Sequence, residues 1–214
     1  MVENRRHGPD IKLAPSQAGD EAALARLWCL AFADKYRHIF GNTAEVFLET
    51  WLTRDPRVHK GSTLIWVDSA PAGFIQIGTP NPSLTEDIRA LWSALFRYFG
   101  PFGALRRLLR LWILERPAKP QPTELHVRML AVDPHYRGRG LAGVLLRYAE
   151  AQGLKDHKTQ LVLEVSSQNE VAIRLYEHYG FVKQPLQYSF LLRWAIGHGH
   201  YYRMVKRLNL SKAS

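Results

Sequence analysis

The chain predicts one domain of the mixed α/β (α+β) class, a sheet with helices packed against it. From residue 125 onward, apolar β-rich runs alternate with amphipathic helical runs: a strand at 125–132, a helix at 141–154, a strand at 161–165 and a helix at 168–179. The N-terminal part adds a short strand, two helices and two further β-rich runs. At 214 residues, 46% apolar and 22% charged, the chain is long enough to bury its own core without disulfides or a structural metal.

Residues 11–13 read as the first strand. Asp20 stands where an N-cap would start a helix bearing Ala23, Leu24, Leu27, Trp28 and Ala31 at three- and four-residue spacing. A second helix spans 44–52 and stops at the turn signal Arg54-Asp55-Pro56. Runs at 63–67 and 73–77 flank a segment with Pro71 and Gly73, which signals a hairpin. Between Pro80 and Pro122, two helical patterns are separated by Gly100-Pro101-Phe102-Gly103. The first aligns Ile88, Leu91, Trp92, Leu95, Phe96 and Phe99; the second sets Leu105, Leu108, Leu109 and Trp112 opposite Arg106 and Arg110. Residues 80–122 therefore read as a helical insertion. A last hairpin is expected around Gly197 to Gly199. The ends, 1–10 and 209–214, are expected to be flexible, leaving 11–208 as the domain.

Twenty-nine Lys and Arg against nineteen Asp and Glu give a net charge of +10, which draws anionic ligands: nucleic acid, acidic protein, anionic lipid or a phosphorylated cofactor. Cys29 is the one cysteine, so neither an intrachain disulfide nor a cysteine-rich zinc site is available. A reducing, cytoplasmic setting is the expectation, with Cys29 a core residue. Residues 1–10 lack the apolar core of a signal peptide, and no run approaches the roughly 18 apolar residues of a membrane span. His198 and His200 flank Gly199, and no metal role is assigned to them.

Chemistry concentrates at Val132-Asp133-Pro134-His135-Tyr136-Arg137-Gly138-Arg139-Gly140-Leu141-Ala142-Gly143, which joins an apolar strand to an amphipathic helix. Such a junction aims unpaired backbone N–H groups and the positive end of a helix at one spot, favouring a phosphate. A tight turn that needs glycine and binds nothing is the plainer alternative. Gly138, Gly140 and Gly143 also fit a dinucleotide fingerprint, with Glu164 as its ribose acid. Against that, five residues including Pro134 separate Val132 from Gly138, and too few strands follow Glu164.

A second motif follows. Ser167 and Glu170 form a Ser-x-x-Glu capping box, Gly180 supplies a C-terminal stop, and Asn169, Ala172, Ile173 and Tyr176 lie at helical offsets that share one face. Spacing alone leaves Tyr176 and Tyr179 as core aromatics and Asn169 as a helix-start residue. Taken together, however, Val-Asp-Pro-x-x-Arg-Gly-Arg-Gly-x-Ala and Asn169-x-x-Ala172-x-x-Leu175-Tyr176-x-x-x-Gly180-Phe181 resemble the GNAT superfamily of N-acetyltransferases. That superfamily's coenzyme loop reads Gln or Arg, x-x-Gly-x, then Gly or Ala; here it is Arg137-x-x-Gly140-x-Ala142.

The resemblance implies a central mixed, mostly antiparallel, twisted sheet flanked by helices, with the insertion between the third and fourth strands. It implies an acetyl-CoA-binding unit at 124–181 and acetyl transfer to a primary amine (small molecule, lysine or protein N-terminus) through a ternary complex. Arg137, Gly138, Arg139, Gly140, Leu141, Ala142 and Gly143 would then cradle the coenzyme. Leu130, Ala131 and Val132 would hold its pantetheine arm, and Asn169 would contact it. Tyr176 would stand near the thioester sulfur as proton donor. Histone-type members carry a Glu where this chain has His126, so His126 becomes the candidate base, on a face shared by alternation with Arg128 and Leu130. A satisfied strand histidine is an equal reading, with Glu124 and Glu164 as other candidates. The insertion falls where several small-molecule acetyltransferases similar to the puromycin enzyme carry extra helices, which in this chain would roof the acceptor site or serve as ordinary packing. Its run Arg106, Arg107, Arg110, Arg116 and Lys119 would alternatively meet an acidic partner or anionic lipid. A coenzyme-binding sensor without turnover remains the competing function. A basic nucleic-acid binder is a third, with no helix-turn-helix, zinc or RNA-recognition pattern behind it. A homodimer is compatible with all three.

Overall fold

In the runs Leu64-Ile65 and Phe74-Ile75, adjacent side chains are fully buried, which requires strands covered on both faces. The computed structural model, which describes residues 9–31, 36, 39–54, 61–78, 88–114 and 121–209, places them centrally in an eight-stranded sheet. Its strands are β1 (Ile11–Pro15), β2 (Ser62–Val67), β3 (Ala70–Gly78), β4 (Glu124–Val132), β5 (Gln160–Ser166), β6 (Val182–Lys183), β7 (Gln187–Tyr188) and β8 (His200–Arg207). The spatial order is β1-β2-β3-β4-β5-β8-β6, with β7 also on β8. Every pairing is antiparallel except β4 with β5, so the expected mixed, mostly antiparallel sheet is present.

Helices α1 (Glu21–Ala31), α2 (Ala44–Arg54) and α3 (Ile88–Leu114) cover one face. There Leu24, Leu27, Trp28, Phe47, Leu48, Leu91 and Leu95 meet Leu64, Phe74, Met129 and Ala131 of the sheet. Phe40 stacks on Phe47 with ring centroids 4.4 Å apart. Helices α4 (Leu141–Lys155) and α5 (Glu170–His178) cover the other face. Leu145, Leu146, Ile173 and Tyr176 pack there against Ile65, Ile75, Leu125, Val127, Leu161, Leu163 and Met204.

Several local expectations change. Asp20 does start α1, since its carbonyl accepts from the Leu24 amide, but its carboxylate accepts from the Gln17 N–H, closing the preceding turn instead of capping the helix. The hairpin turn is Asp68-Ser69, both at positive φ (50° and 66°), whereas Pro71 and Gly73 lie inside β3. Ile65 pairs Gly73 and Trp66 pairs Pro71, so Ala72 is an extra residue that tolerates a proline in the strand.

The insertion keeps its two expected helices, which break at Gly100 (φ 65°, ψ 178°) just before Pro101 and are labelled together as α3. Its inner stripe is Leu91, Ala94, Leu95, Ala104 and Leu111, while Trp92, Phe96, Leu105 and Leu109 are exposed. The side chains of Ile88 and Trp112 lie outside the described set, as do residues 1–8, 55–60, 79–87, 115–120 and 210–214. The hairpin expected around Gly197 is instead a short helix, α6 (Phe190–Ile196). Ser189 caps it through the Leu192 N–H, and Gly197 ends it at φ 86°.

The Asp68-Ser69 turn supplies a test. A non-glycine residue at positive φ is strained, and Asp68 is already engaged because its carboxylate accepts from the Asp10 N–H. Ser69→Gly is expected to raise Tm by about 2 °C, measured by differential scanning calorimetry.

Candidate functional site

Sheet pairing opens the site. β4 and β5 pair only at Glu124 with Gln160, Leu125 with Leu161 and His126 with Val162. Beyond those positions both strands continue, β4 to Val132 and β5 to Ser166, without pairing to each other. The divergence begins where Val127 pairs Ile77 and Met129 pairs Gln76, leaving Arg128 as an extra residue in β4. After this bulge the alternation reverses: Met129 and Ala131 join the α1–α3 core, and Leu130 and Val132 lean on the α4–α5 core. Leu130 therefore does not share a face with His126, because the inserted residue breaks the period of two.

The predicted anion loop lies at the end of β4. Asp133 caps a single 3₁₀ turn (Pro134–Tyr136), after which Gly138 and Gly140 take φ of 76° and 75°. Among the described residues, the amides of Gly138, Arg139, Gly140, Leu141 and Ala142 make no hydrogen bond to protein. Five consecutive unpaired donors at the start of α4 form a concavity suited to phosphate oxygens. The Arg137 Nε donates to the Val132 carbonyl at 3.2 Å, and the Arg139 guanidinium sits 5.1 Å over the Tyr136 ring. Gly143 departs from the expected set. Its amide is spent on the Gly140 carbonyl, and a Cβ there would meet the Tyr179 hydroxyl at 1.7 Å. Its missing side chain lets α4 and Tyr179 approach and leaves no surface for a ligand.

The loop is anchored from below. Asp133 is 3% exposed; one carboxylate oxygen accepts from Arg26 of α1, and the other accepts from the His135 backbone N–H at 2.9 Å. Arg26 also donates to the Pro71 carbonyl at 3.1 Å, and Asp133 donates its own amide to the Ala72 carbonyl. Burial works against the Asp133 charge, but Arg26 and the His135 bonds outweigh it and hold the carboxyl at about 2.

On α5 the expected Ser167–Glu170 capping box does not form. Asn169 is itself the N-cap, its Oδ1 accepting from the Ala172 N–H at 3.1 Å. A cap two residues closer to the helix displaces Ser167, leaving the Asn169 amide NH₂ as an exposed donor. Tyr176 is 9% exposed and packs against Phe181. Among the described residues its hydroxyl has no hydrogen-bond partner, and burial pushes its pKa up to about 12.

Across the sheet, His126 is 7% exposed, with Nε2 3.3 Å from Glu124 Oε2; Glu124 in turn accepts from Arg203 at 2.6 Å. Burial lowers the imidazole pKa, Glu124 pulls it back up, and Arg203 and Arg128 push it down. Glu164, named above as a further candidate base, pairs with Arg203 and stands on the face opposite Leu163 and Val165. It keeps solvent contact, yet the surrounding protein displaces enough water to raise its carboxyl pKa, against the pull of Arg203. A lone acid in the apolar strand Gln160–Ser166 was the available signal. Arg26 offered none, since its partner is 107 residues away. No group of three His, Cys, Asp or Glu gathers for a metal among the described residues.

Unpaired amides at one end of a gap between two strands suit an extended ligand that carries phosphate. The acetyltransferase (GNAT) family model matches residues 27–181. Over 67 residues the chain is 33% identical to N-alpha-acetyltransferase 30 of Saccharomyces cerevisiae, covering 31% of this chain and 38% of that protein, well under two thirds of its length. The fold is similar to an N-acetyltransferase from Staphylococcus aureus Mu50 (TM-score 0.65, 16% identity, 91% of this chain and 99% of that one). It is similar also to the PaiA N-acetyltransferase of Thermoplasma acidophilum in complex with coenzyme A (TM-score 0.57, 14% identity, 92% and 99%). The chain belongs to the acetyltransferase (GNAT) family. The unpaired amides and the strand gap fit coenzyme A.

The anchor yields a pH prediction. Asp133 is more acidic folded than its ordinary value of 3.8, so its contribution is complete above about pH 4 and is lost as pH falls toward 2. Denaturant melts across that window should show wild type losing stability faster than Asp133→Asn, which starts lower by roughly 2–3 kcal/mol at neutral pH.

Proposed function

We propose that the chain transfers acetyl directly to a primary amine, the acceptor entering on the α1–α3 side of the sheet and the thiol leaving toward α5. The observation that carries this reading is the placement of Glu164 and Tyr176 on opposite sides of the sheet where β4 and β5 diverge. Bound acetyl-CoA supplies an activated thioester. The amides of residues 138–142 hold its phosphate end, and the unpaired edge of β4 after His126 offers strand-like hydrogen bonds to its arm.

The acceptor amine must be neutral to attack. Glu164, with its raised pKa and its contact with solvent, takes the proton as the C–N bond forms. As the C–S bond breaks, charge develops on a sulfur whose thiol pKa is about 8.5. The Tyr176 hydroxyl, held at about 12, keeps its proton and meets that sulfur as a hydrogen-bond donor in apolar surroundings. The proton taken from the amine balances the thiolate. His126 serves this role less well than Glu164, being nearly enclosed and turned toward Glu124. Among acceptors, the match to N-alpha-acetyltransferase 30 favours a peptide or protein N-terminus.

Thiol release should be measured over polyamines, aminoglycosides, amino acids and peptides with free N-termini, with peptides expected to turn over fastest. Acetyl-CoA binding without release across that panel would make the chain a sensor instead. Tyr176→Phe is expected to lower kcat about a hundredfold while the Kd for acetyl-CoA stays within about twofold. Glu164→Gln should cost more kcat than His126→Gln. It should also abolish the acid limb of the pH–rate profile, in which activity rises as pH climbs through a carboxyl pKa above the usual 4.5.

A further inference from the structure

The insertion leaves an unusual surface. The 27 residues of α3 contain Arg89, Arg97, Arg106, Arg107 and Arg110 and no acid, acids reappearing only beyond its ends at Asp87 and Glu115. The neighbouring α6 contains Arg193 and no acid. These two helices pack against each other, with the Arg110 guanidinium 5.4 Å over the Trp194 ring. Their outward side chains are large and apolar. Phe102, at the bend, is 88% exposed, Phe190 71%, Leu105 58%, and Leu109 and Trp194 also reach solvent. Burial and then the neighbouring Arg106 push Arg107 and Arg110 below the ordinary guanidinium pKa, as expected where cations crowd together.

We infer that the α3–α6 face docks the enzyme on an anionic lipid surface. Apolar side chains projecting between arginines match the two demands of a headgroup layer: hydrocarbon to be buried a few ångströms deep, and phosphate at the rim. Arginine stems pass along the apolar surface while their heads stay at the phosphates, and a tryptophan beside an arginine is an interfacial anchor. Among the described residues no helix is long and apolar enough to cross a membrane, so this contact lies along the surface. An acidic protein groove would satisfy the charge, but it would not call for Phe102 to project at the bend with so little packing of its own. The inference stands apart from the acyl-transfer chemistry and does not depend on it.

The test is co-sedimentation of the full chain with phosphatidylcholine vesicles, with and without phosphatidylglycerol, at low and high salt. Binding roughly thirtyfold tighter to the phosphatidylglycerol vesicles, reversed by salt, is expected from Arg106 and Arg193 alone. The double variant Phe102→Asp, Phe190→Asp alters only exposed side chains. It should keep the wild-type melting temperature and acetyl-CoA binding while losing vesicle binding at least tenfold. Equal binding to both vesicle types, no binding to either, or an unaffected double variant would each overturn the inference. So would light scattering that shows this face pairing two copies of the chain in place of binding lipid.

Discussion

Between Val127 and Met129, β4 holds Arg128 with no residue opposite it on β3, and this single insertion reorients everything downstream. A strand with a period of two cannot keep its register past an extra residue, so Met129 and Ala131 enter the core that Leu130 and Val132 would otherwise have lined. The same kink turns β4 away from β5, where pairing stops at His126 and Val162. Without it the sheet would zip closed to Val132, and the gap in which a coenzyme arm can lie would be filled by the strand's own hydrogen bonds. The parallel character of this pair helps: no tight turn joins β4 to β5, so their distal ends are free to diverge while α4 bridges them.

The anion loop needs a fixed base for its unpaired amides, and that base is a buried charge. Asp133 is tied to Arg26 on one side and to the His135 amide on the other, while its own N–H enters the β3 bulge through Ala72. A carboxylate held this way is costly to bury and costly to orphan, so the three segments that Asp133 bonds to are held to one arrangement. The loop's amides can then await a phosphate without a hydrogen bond of their own. The preorganisation is built from α1 and β3, not from the loop's sequence.

Sequence reading succeeded where physics is local. Glycines at 138 and 140 were legible because positive φ leaves few other choices, and the β-rich runs of β2 and β3 announced a pair of strands. It failed where two local rules compete or where contacts are distant. Ser167 and Asn169 both satisfy cap chemistry, and only the folded chain chose Asn169. Pro71 and Gly73 looked like turn residues because the bulge at Ala72 that accommodates them is a property of pairing, not of letters. The exposed Trp92, Phe96 and Leu105 broke the assumption that apolar periodicity points inward. Strand letters put His126 at the motif position but do not report that Glu164 is the one of the two with more contact to solvent.

The sheet also separates two hydrophobic cores that share few residues, one under α1, α2 and α3 and the other under α4 and α5. The anion loop and α5 lie beside the second core, while the bent insertion belongs to the first. Mutations that reshape the insertion can therefore accumulate without disturbing the packing under the loop. Such a partition lets a lineage remodel one side of the sheet at little risk to what the other side holds.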